Sequence, residues 1–267
     1  NIFFDSQRSP LNPHWFPLGS VLIYVIVSFR FILALFTDIG VLEMSYVGRA
    51  LSALADVGTV LMVFLVGRRM YGKKVGMLCA VLLSLAVIHI QNSHFYRPET
   101  FLSLLIMVSY YLMLKVTDYR RLKHSVLLGL SVGLAIGIKV SMLPLLLPIL
   151  FVYGRWALDT VGCPVGGTRA SEKLKLAGHV GLAIIMALAI FGLTTPYAFI
   201  DMAEFIKDTT WEANIARTAG KVPYTIQYVG VIPLWYEIRQ MTLWGLGLPL
   251  GIAAWTGLVF VAFTAVT

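Results

Sequence analysis

Long, uninterrupted apolar runs separated by short charged segments dominate the chain, and they are too uniformly apolar to be the inner face of soluble helices. A membrane-crossing helix needs roughly 20 mostly apolar residues, about 17–25 in practice. Runs of this kind fall at about residues 50–67, 75–92, 100–116, 125–138, 140–156, 177–195 and 244–265, which predicts seven spans. The fourth and fifth are short and divided by Lys139 alone, a pattern that also fits one hairpin of shallow helices around a sharp turn. The stretch from Pro17 to Phe36 carries Arg30 at its middle. A central arginine costs about 2.5–3.5 kcal/mol on insertion scales, so this stretch is read as a juxtamembrane helix lying along the surface.

Composition agrees with this reading. Of 267 residues, 58% are hydrophobic and 13% charged, against about 45–50% and about 25% in soluble domains; mean hydropathy is +0.83. The expected fold is all-α, a polytopic transmembrane helical bundle of about seven spans plus the juxtamembrane helix. It reads as a single transmembrane domain: 1–49 a first outer loop, 50–195 a six-span core, 196–241 a long outer loop, and 244–267 a last, truncated span. The same arithmetic excludes a disordered tail, a disulfide-stapled secreted module and a nucleic-acid-binding domain. Cys79 falls in an apolar run and Cys163 in a polar loop, so packing roles are expected for each.

Charge is informative by position rather than by its total of +8. The loops around Arg68–Lys74 and Lys115–Lys123, and the segment Arg155–Lys175, lie on one side if the spans alternate. They hold twelve of the 21 basic residues but three of the 13 acidic ones, Asp118, Asp159 and Glu172. By the positive-inside rule that side is cytoplasmic. The expected location is a bacterial inner membrane, with the carboxylate-bearing face outside. The longest loop, from Pro196 to about Met241, is on that outer face, and loops of such length are usually functional.

Candidate chemistry concentrates there. QNSHFYRPET, residues 91–100, places His94, Arg97 and Glu99 within six residues where one span emerges and the next begins. An ion pair at a helix start explains Arg97 and Glu99 locally, since Pro98 suits the first helical position and Glu the first turn. The functional alternative is a cation, a carboxylate and an imidazole converging where an anionic headgroup sits. Lys139 either snorkels to the interface or supplies a point charge for a phosphate; with Arg97 it would form a phosphate clamp. His14, in NPHWF, is an interfacial anchor or a substrate contact. Asp56, within a span, should face the bundle interior, towards a Ser, a Tyr or Arg49. In the outer loop, tyrosines including Tyr228 and Tyr236 alternate with charges, as in a sugar or headgroup pocket. No nucleotide-binding or metalloprotease motif is present.

Several segments in order resemble one family. Residues 47–114 are similar to the third and fourth spans and second outer loop of lipid-linked-sugar glycosyltransferases of the GT-C class. The nearest in pattern are bacterial relatives of dolichyl-phosphate-mannose protein mannosyltransferases and of lipid A aminoarabinose transferases. GLAIGIKVSMLPLLLPIL, TTPYAFID and QYVGVIPLWYEIRQMTLWGLGLPLG match further segments in the same order, and LNPHWFPLGSVLIY resembles the part that follows the family's first outer-loop acidic motif.

The resemblance implies sugar transfer from a polyprenyl-phosphate donor, within the lipid bilayer, to a protein, lipid or glycan acceptor at the outer face. It places Glu99 where relatives carry an acidic residue and makes Arg97 and Lys139 candidates for phosphate contacts, so Glu99 and Arg97 are expected to be catalytic and Lys139 to bind substrate; His94, His14, Tyr228 and Tyr236 join it as substrate-binding candidates on the reading of the residues above. No cofactor is called for with certainty, and a divalent metal stays open. One departure from the family matters. Its first-loop Asp-Glu pair lies well upstream of the NPHWF-like segment, whereas only Asp5 precedes it here. The chain is therefore expected to be a fragment lacking the first span and that motif; the alternative is a non-catalytic accessory subunit of a larger membrane complex.

Overall fold

The computed structural model describes residues 9–161 and 167–266; Asp5 and Cys163 lie outside them. The described residues are helical with connecting turns, and they group into two compact units. One draws on residues 1–48 and 101–211, the other on 49–100 and 212–267.

The first unit opens with an extended segment from Ser9 and helix α1 (Val21–Ala34). At 14 residues, α1 is about 21 Å long, short of the roughly 30 Å hydrocarbon layer. Its outer half exposes Val27, Phe31, Ile32 and Leu35, as a helix bathed in lipid does. The unit continues with most of α5 (Pro98–Tyr119), then α6 (Leu122–Ile138), a 3-10 turn (Val140–Leu145), α7 (Leu146–Val161), α8 (Gly167–Thr194), the short α9 (Tyr197–Ile200) and most of α10 (Met202–Arg217).

Its tightest seam is between α6 and α8. Gly129, Gly133 and Gly137 recur every four residues and so share one face of α6. A methyl group on Gly129 would sit 2.2 Å from the Ala183 carbonyl oxygen, and one on Gly133 2.3 Å from that of Ala187. Small residues at this spacing let two backbones touch, which matters where lipid supplies no hydrophobic drive between helices. Polar groups reinforce the seam: Tyr153 Oη donates to Ser125 Oγ at 2.8 Å, and Ser125 Oγ lies 2.8 Å from His179 Nδ1. At one end Arg120 reaches Asp159 at 3.0 Å and Glu172 at 3.7 Å, so the ends of α5 and α7 and the start of α8 lie together.

The second unit holds the rest of α2 (Val41–Tyr71), with α3 (Lys73–Ser84) and α4 (Val87–Ser93). It also contains a 3-10 turn (Pro223–Tyr228), α11 (Trp235–Gln240), a π-helical turn (Met241–Gly245) and α12 (Leu248–Val266). Arg68 and Arg69 in its last turn suit the negative end of α2. Gly72, at φ +91°, then turns the chain back. The hairpin closes on glycine, because a Cβ on Gly76 would lie 2.6 Å from the Phe64 carbonyl oxygen. α3 and α4 meet at a 63° bend, beyond which His89 Nδ1 comes 2.9 Å from Asp56 Oδ1. The partner of Asp56 is thus a histidine, rather than the Ser, Tyr or Arg49 expected. α12 packs on the π-helical turn, where Trp255 Nε1 donates to Thr242 Oγ1 at 2.8 Å.

Each of the seven apolar runs contains a helix. Among the described residues, four helical segments are long and apolar enough to cross a membrane: α2, α5, Val140–Val161 and Arg169–Thr194. The bent α3–α4 pair makes a fifth if counted as one span, and the fourth and seventh runs fall on the shorter apolar helices α6 and α12. The protein is an all-helical integral membrane protein.

Candidate functional site

In the first unit the NPHWF segment is a strap fastened by carboxylates. Asn12 forms a local turn, its Oδ1 accepting the His14 N–H at 3.0 Å, while its Nδ2 donates to Asp201 Oδ2 at 3.2 Å. The Phe16 N–H donates to Asp208 Oδ2 at 2.9 Å, and the Phe16 ring, wholly buried, meets Phe205 edge to face. Ser9 Oγ bonds the buried Tyr197 hydroxyl, and the Tyr24 hydroxyl donates to the Leu11 carbonyl at 2.8 Å. This bracing leaves His14 at φ +50° and exposed, with Trp15 beside it.

The strap ends on α6. The Gly19 N–H donates to the Ile138 carbonyl at 2.9 Å, and a Cβ on Gly19 would overlap the Gly137 carbonyl oxygen at 1.7 Å. No residue but glycine fits there. Lys139 follows directly, at the end of α6 and in extended conformation. Its own N–H donates to the Ala135 carbonyl at 3.0 Å, and its carbonyl accepts the Met142 N–H at 3.0 Å. The strap bearing His14 and the residue before Lys139 are therefore bonded neighbours in one unit.

The other candidates lie in the second unit. Arg97 Nε approaches Glu99 Oε2 at 3.5 Å at the head of α5, where Pro98 starts the helix and Glu99 sits in its first turn. The side chains are 57% and 40% exposed, although the Glu99 oxygen facing Arg97 is itself buried. His94 closes α4, its Nδ1 bonded to the Ile90 carbonyl at 2.6 Å, so one ring nitrogen is already used within its own helix. Between them Tyr96 is half-buried, and burial pushes its phenol up to about 12. It therefore stays a neutral donor at any physiological pH.

Tyr228 and Tyr236 meet each other edge to face, centroids 5.4 Å apart, and the Tyr236 hydroxyl donates to Gln227 Oε1 at 3.3 Å. Tyr228 lines a cleft of ≈ 590 Å³ whose walls also include Glu212, Arg217, Gln227 and Glu237. The π-helical turn after α11 packs against α4 in the same unit. Among the described residues, no three His, Cys, Asp or Glu side chains gather closely enough to hold a metal ion.

Residues 25–191, more than half of the chain, match the family described as dolichyl-phosphate-mannose-protein mannosyltransferase. The chain belongs to that family. It is accordingly a membrane glycosyltransferase of the GT-C type, the class to which the motif resemblance pointed. The family implies a lipid-linked sugar donor and a membrane environment. Neither the curated proteins nor the solved structures searched gave a match.

Reading the sequence alone missed three features. Asp201 and Asp208 were two acids among several in a loop, and only their long-range partners on the strap distinguish them. His89 was hidden in an apolar run, although an intramembrane Asp demands such a partner. The glycine spacing of α6 was readable, since small residues four apart are a known helix-packing signal.

Proposed function

We propose that the chain moves a sugar from a polyprenyl-phosphate donor to an acceptor hydroxyl at the outer membrane face, inverting the anomeric carbon. Family membership supports the reaction class. The observation that carries the residue assignment is the Arg97–Glu99 pair at the head of a membrane-length helix.

In this reading the bond from the anomeric carbon to the phosphate oxygen breaks, and its electron pair leaves with the polyprenyl phosphate. The acceptor oxygen bonds the same carbon from the opposite face. Arg97 stabilises the charge growing on the leaving phosphate, and Glu99 takes the acceptor proton. An exposed ion pair contributes about 0–1 kcal/mol. A phosphate therefore draws Arg97 away from Glu99 at little cost. His94 lines the same segment as a substrate contact, and Tyr228 and Tyr236 contact sugar. Lys139 and His14 are read separately, as headgroup contacts at the end of α6.

The test supplies radiolabelled polyprenyl-phosphate mannose to the full-length protein in membranes. Label should pass to a lipid, glycan or protein acceptor, and Arg97→Ala should slow transfer by about 10²–10³, the scale of losing one preorganised donor. Absence of both transfer and donor binding would sink the reading; binding without transfer would favour an accessory role.

A further inference from the structure

The cleft at the end of α10 surrounds Tyr228 with charged groups that the scheme above leaves unused. Glu212 and Arg217 come from α10, Gln227 and Tyr228 from the 3-10 turn, and Glu237 from α11. Among the described residues, Glu212, Arg217 and Glu237 form no ion pair and no side-chain hydrogen bond, although charges of both signs share one recess. Groups so placed in a cleft of ≈ 590 Å³, inside the roughly 300–1,000 Å³ range of small-molecule sites, are available to a ligand.

Their chemistry selects what that ligand is. Two carboxylates accept hydrogen bonds and a guanidinium donates them, while the Gln227 amide is held by the Tyr236 hydroxyl and the Tyr224 carbonyl. Sugar hydroxyls donate and accept at once, so a hydroxyl-rich ring satisfies both kinds of charged group. The Tyr228 ring, braced edge to face by Tyr236 and 41% exposed, offers the flat apolar surface that the C–H face of a sugar needs. Two carboxylates against one guanidinium disfavour a phosphate. A lipid chain offers none of the three charges a hydrogen bond.

We propose that this cleft is the acceptor subsite and that it takes a neutral saccharide, so that the chain extends a glycan rather than modifying a peptide. The proposal rests on the glycosyl-transfer reading for its role, and on the cleft alone for its ligand.

The experiment measures binding to the full chain in nanodiscs with no donor present, by saturation-transfer NMR. The probes are mannotriose, maltotriose and a Ser/Thr-rich decapeptide. At least one trisaccharide should bind and the peptide should not. Tyr228→Ala and Glu237→Gln should each weaken saccharide binding at least tenfold, while Tyr228→Phe retains it. An unchanged circular-dichroism spectrum and elution volume are the condition for scoring a variant. Binding of the peptide alone, binding of neither probe class, or saccharide binding indifferent to both substitutions would overturn the proposal. Binding of radiolabelled polyprenyl-phosphate mannose to the same preparation is scored separately. Loss of donor recognition would count against the reaction, and loss of saccharide recognition against this subsite.

Discussion

Asp208 accepts the backbone N–H of Phe16 at 2.9 Å across 192 positions of chain, and Asp201 accepts the side-chain amide of Asn12 at 3.2 Å. Two carboxylates thereby hold the segment that ends on α6. Hydrogen bonds to charged groups contribute about 1.5–3 kcal/mol. Asp208→Ala should lose stability on that scale and expose residues 9–20 to protease, whereas Asp208→Asn keeps an acceptor oxygen and should lose less. Thermal melting in detergent and mass-spectrometric mapping of cleavage sites read both effects.

Glycine substitutions should divide sharply by position. A methyl on Gly133 meets backbone at 2.3 Å, whereas one on Gly181 meets nothing within 4 Å. Gly133→Ala should destabilise by about 1–3 kcal/mol through overpacking, and Gly133→Leu should prevent accumulation of folded protein. Gly181→Ala, where the methyl enters open space, should be neutral or slightly stabilising. Size-exclusion yield and melting temperature for the variants decide the point, and equal losses at both sites would contradict the seam.

The Asp56–His89 contact predicts non-additivity. Each partner is about one-fifth exposed, so removing one leaves the other mostly buried and without it. Coupling between residues in direct contact runs to about 0.5–3 kcal/mol. The double variant Asp56→Ala/His89→Ala should therefore lose less than the sum of the singles, as measured by a double-mutant cycle on unfolding midpoints.

Tyr96 predicts a direction for alkaline stability. Its folded phenol titrates at about 12, above the 10.0 of an unburied tyrosine. Below pH 10 it is protonated whether folded or unfolded, and contributes no pH dependence. Between about pH 10 and 12 the unfolded chain ionises first, so stability falls as pH rises. Tyr96→Phe should shallow that decline in denaturation curves, and an unchanged slope would refute it.

At Arg97 the geometry of the charge is at stake. A guanidinium grips phosphate with two parallel donors, which an ammonium cannot reproduce. Arg97→Lys should keep most donor binding yet recover only part of the transfer rate lost in Arg97→Ala. Equal rates for wild type and Arg97→Lys would leave Arg97 a mere electrostatic anchor.

Much of the fold was legible because lipid imposes a length. Apolar runs near 100–116 and 177–195 lie within α5 and α8, since a backbone in hydrocarbon must satisfy its own hydrogen bonds. Arg30 likewise argued against a span, and α1 has 14 residues. The turn at Lys139 was legible as a break; the enclosure of α6 by α8 does not show in hydropathy, and its signal was the four-residue spacing of Gly129, Gly133 and Gly137. At the candidate site, Arg97 and Glu99 were found because they are near neighbours in sequence, and their contact is local. A pocket in the outer loop was expected from its tyrosines and charges, but the partners of the strap carboxylates and of Asp56 were not, because the first are far apart in the chain and His89 is hidden in an apolar run.

The seam of α6 has a mechanical meaning. Its glycines face α8 at Ala183 and Ala187, where a Cβ would collide with backbone, and a Cβ on Gly137 would lie 3.0 Å from the Thr194 hydroxyl. A helix seated so closely at successive turns can neither slide nor rotate without its backbone colliding. It works as a fixed post with a gauge at its tip, where the ammonium-bearing residue follows the last contact by two positions. Inserting one residue after Gly137 would swing that tip by about 100° while leaving the post in place. Any movement that accompanies turnover is thus left to elements other than this pair.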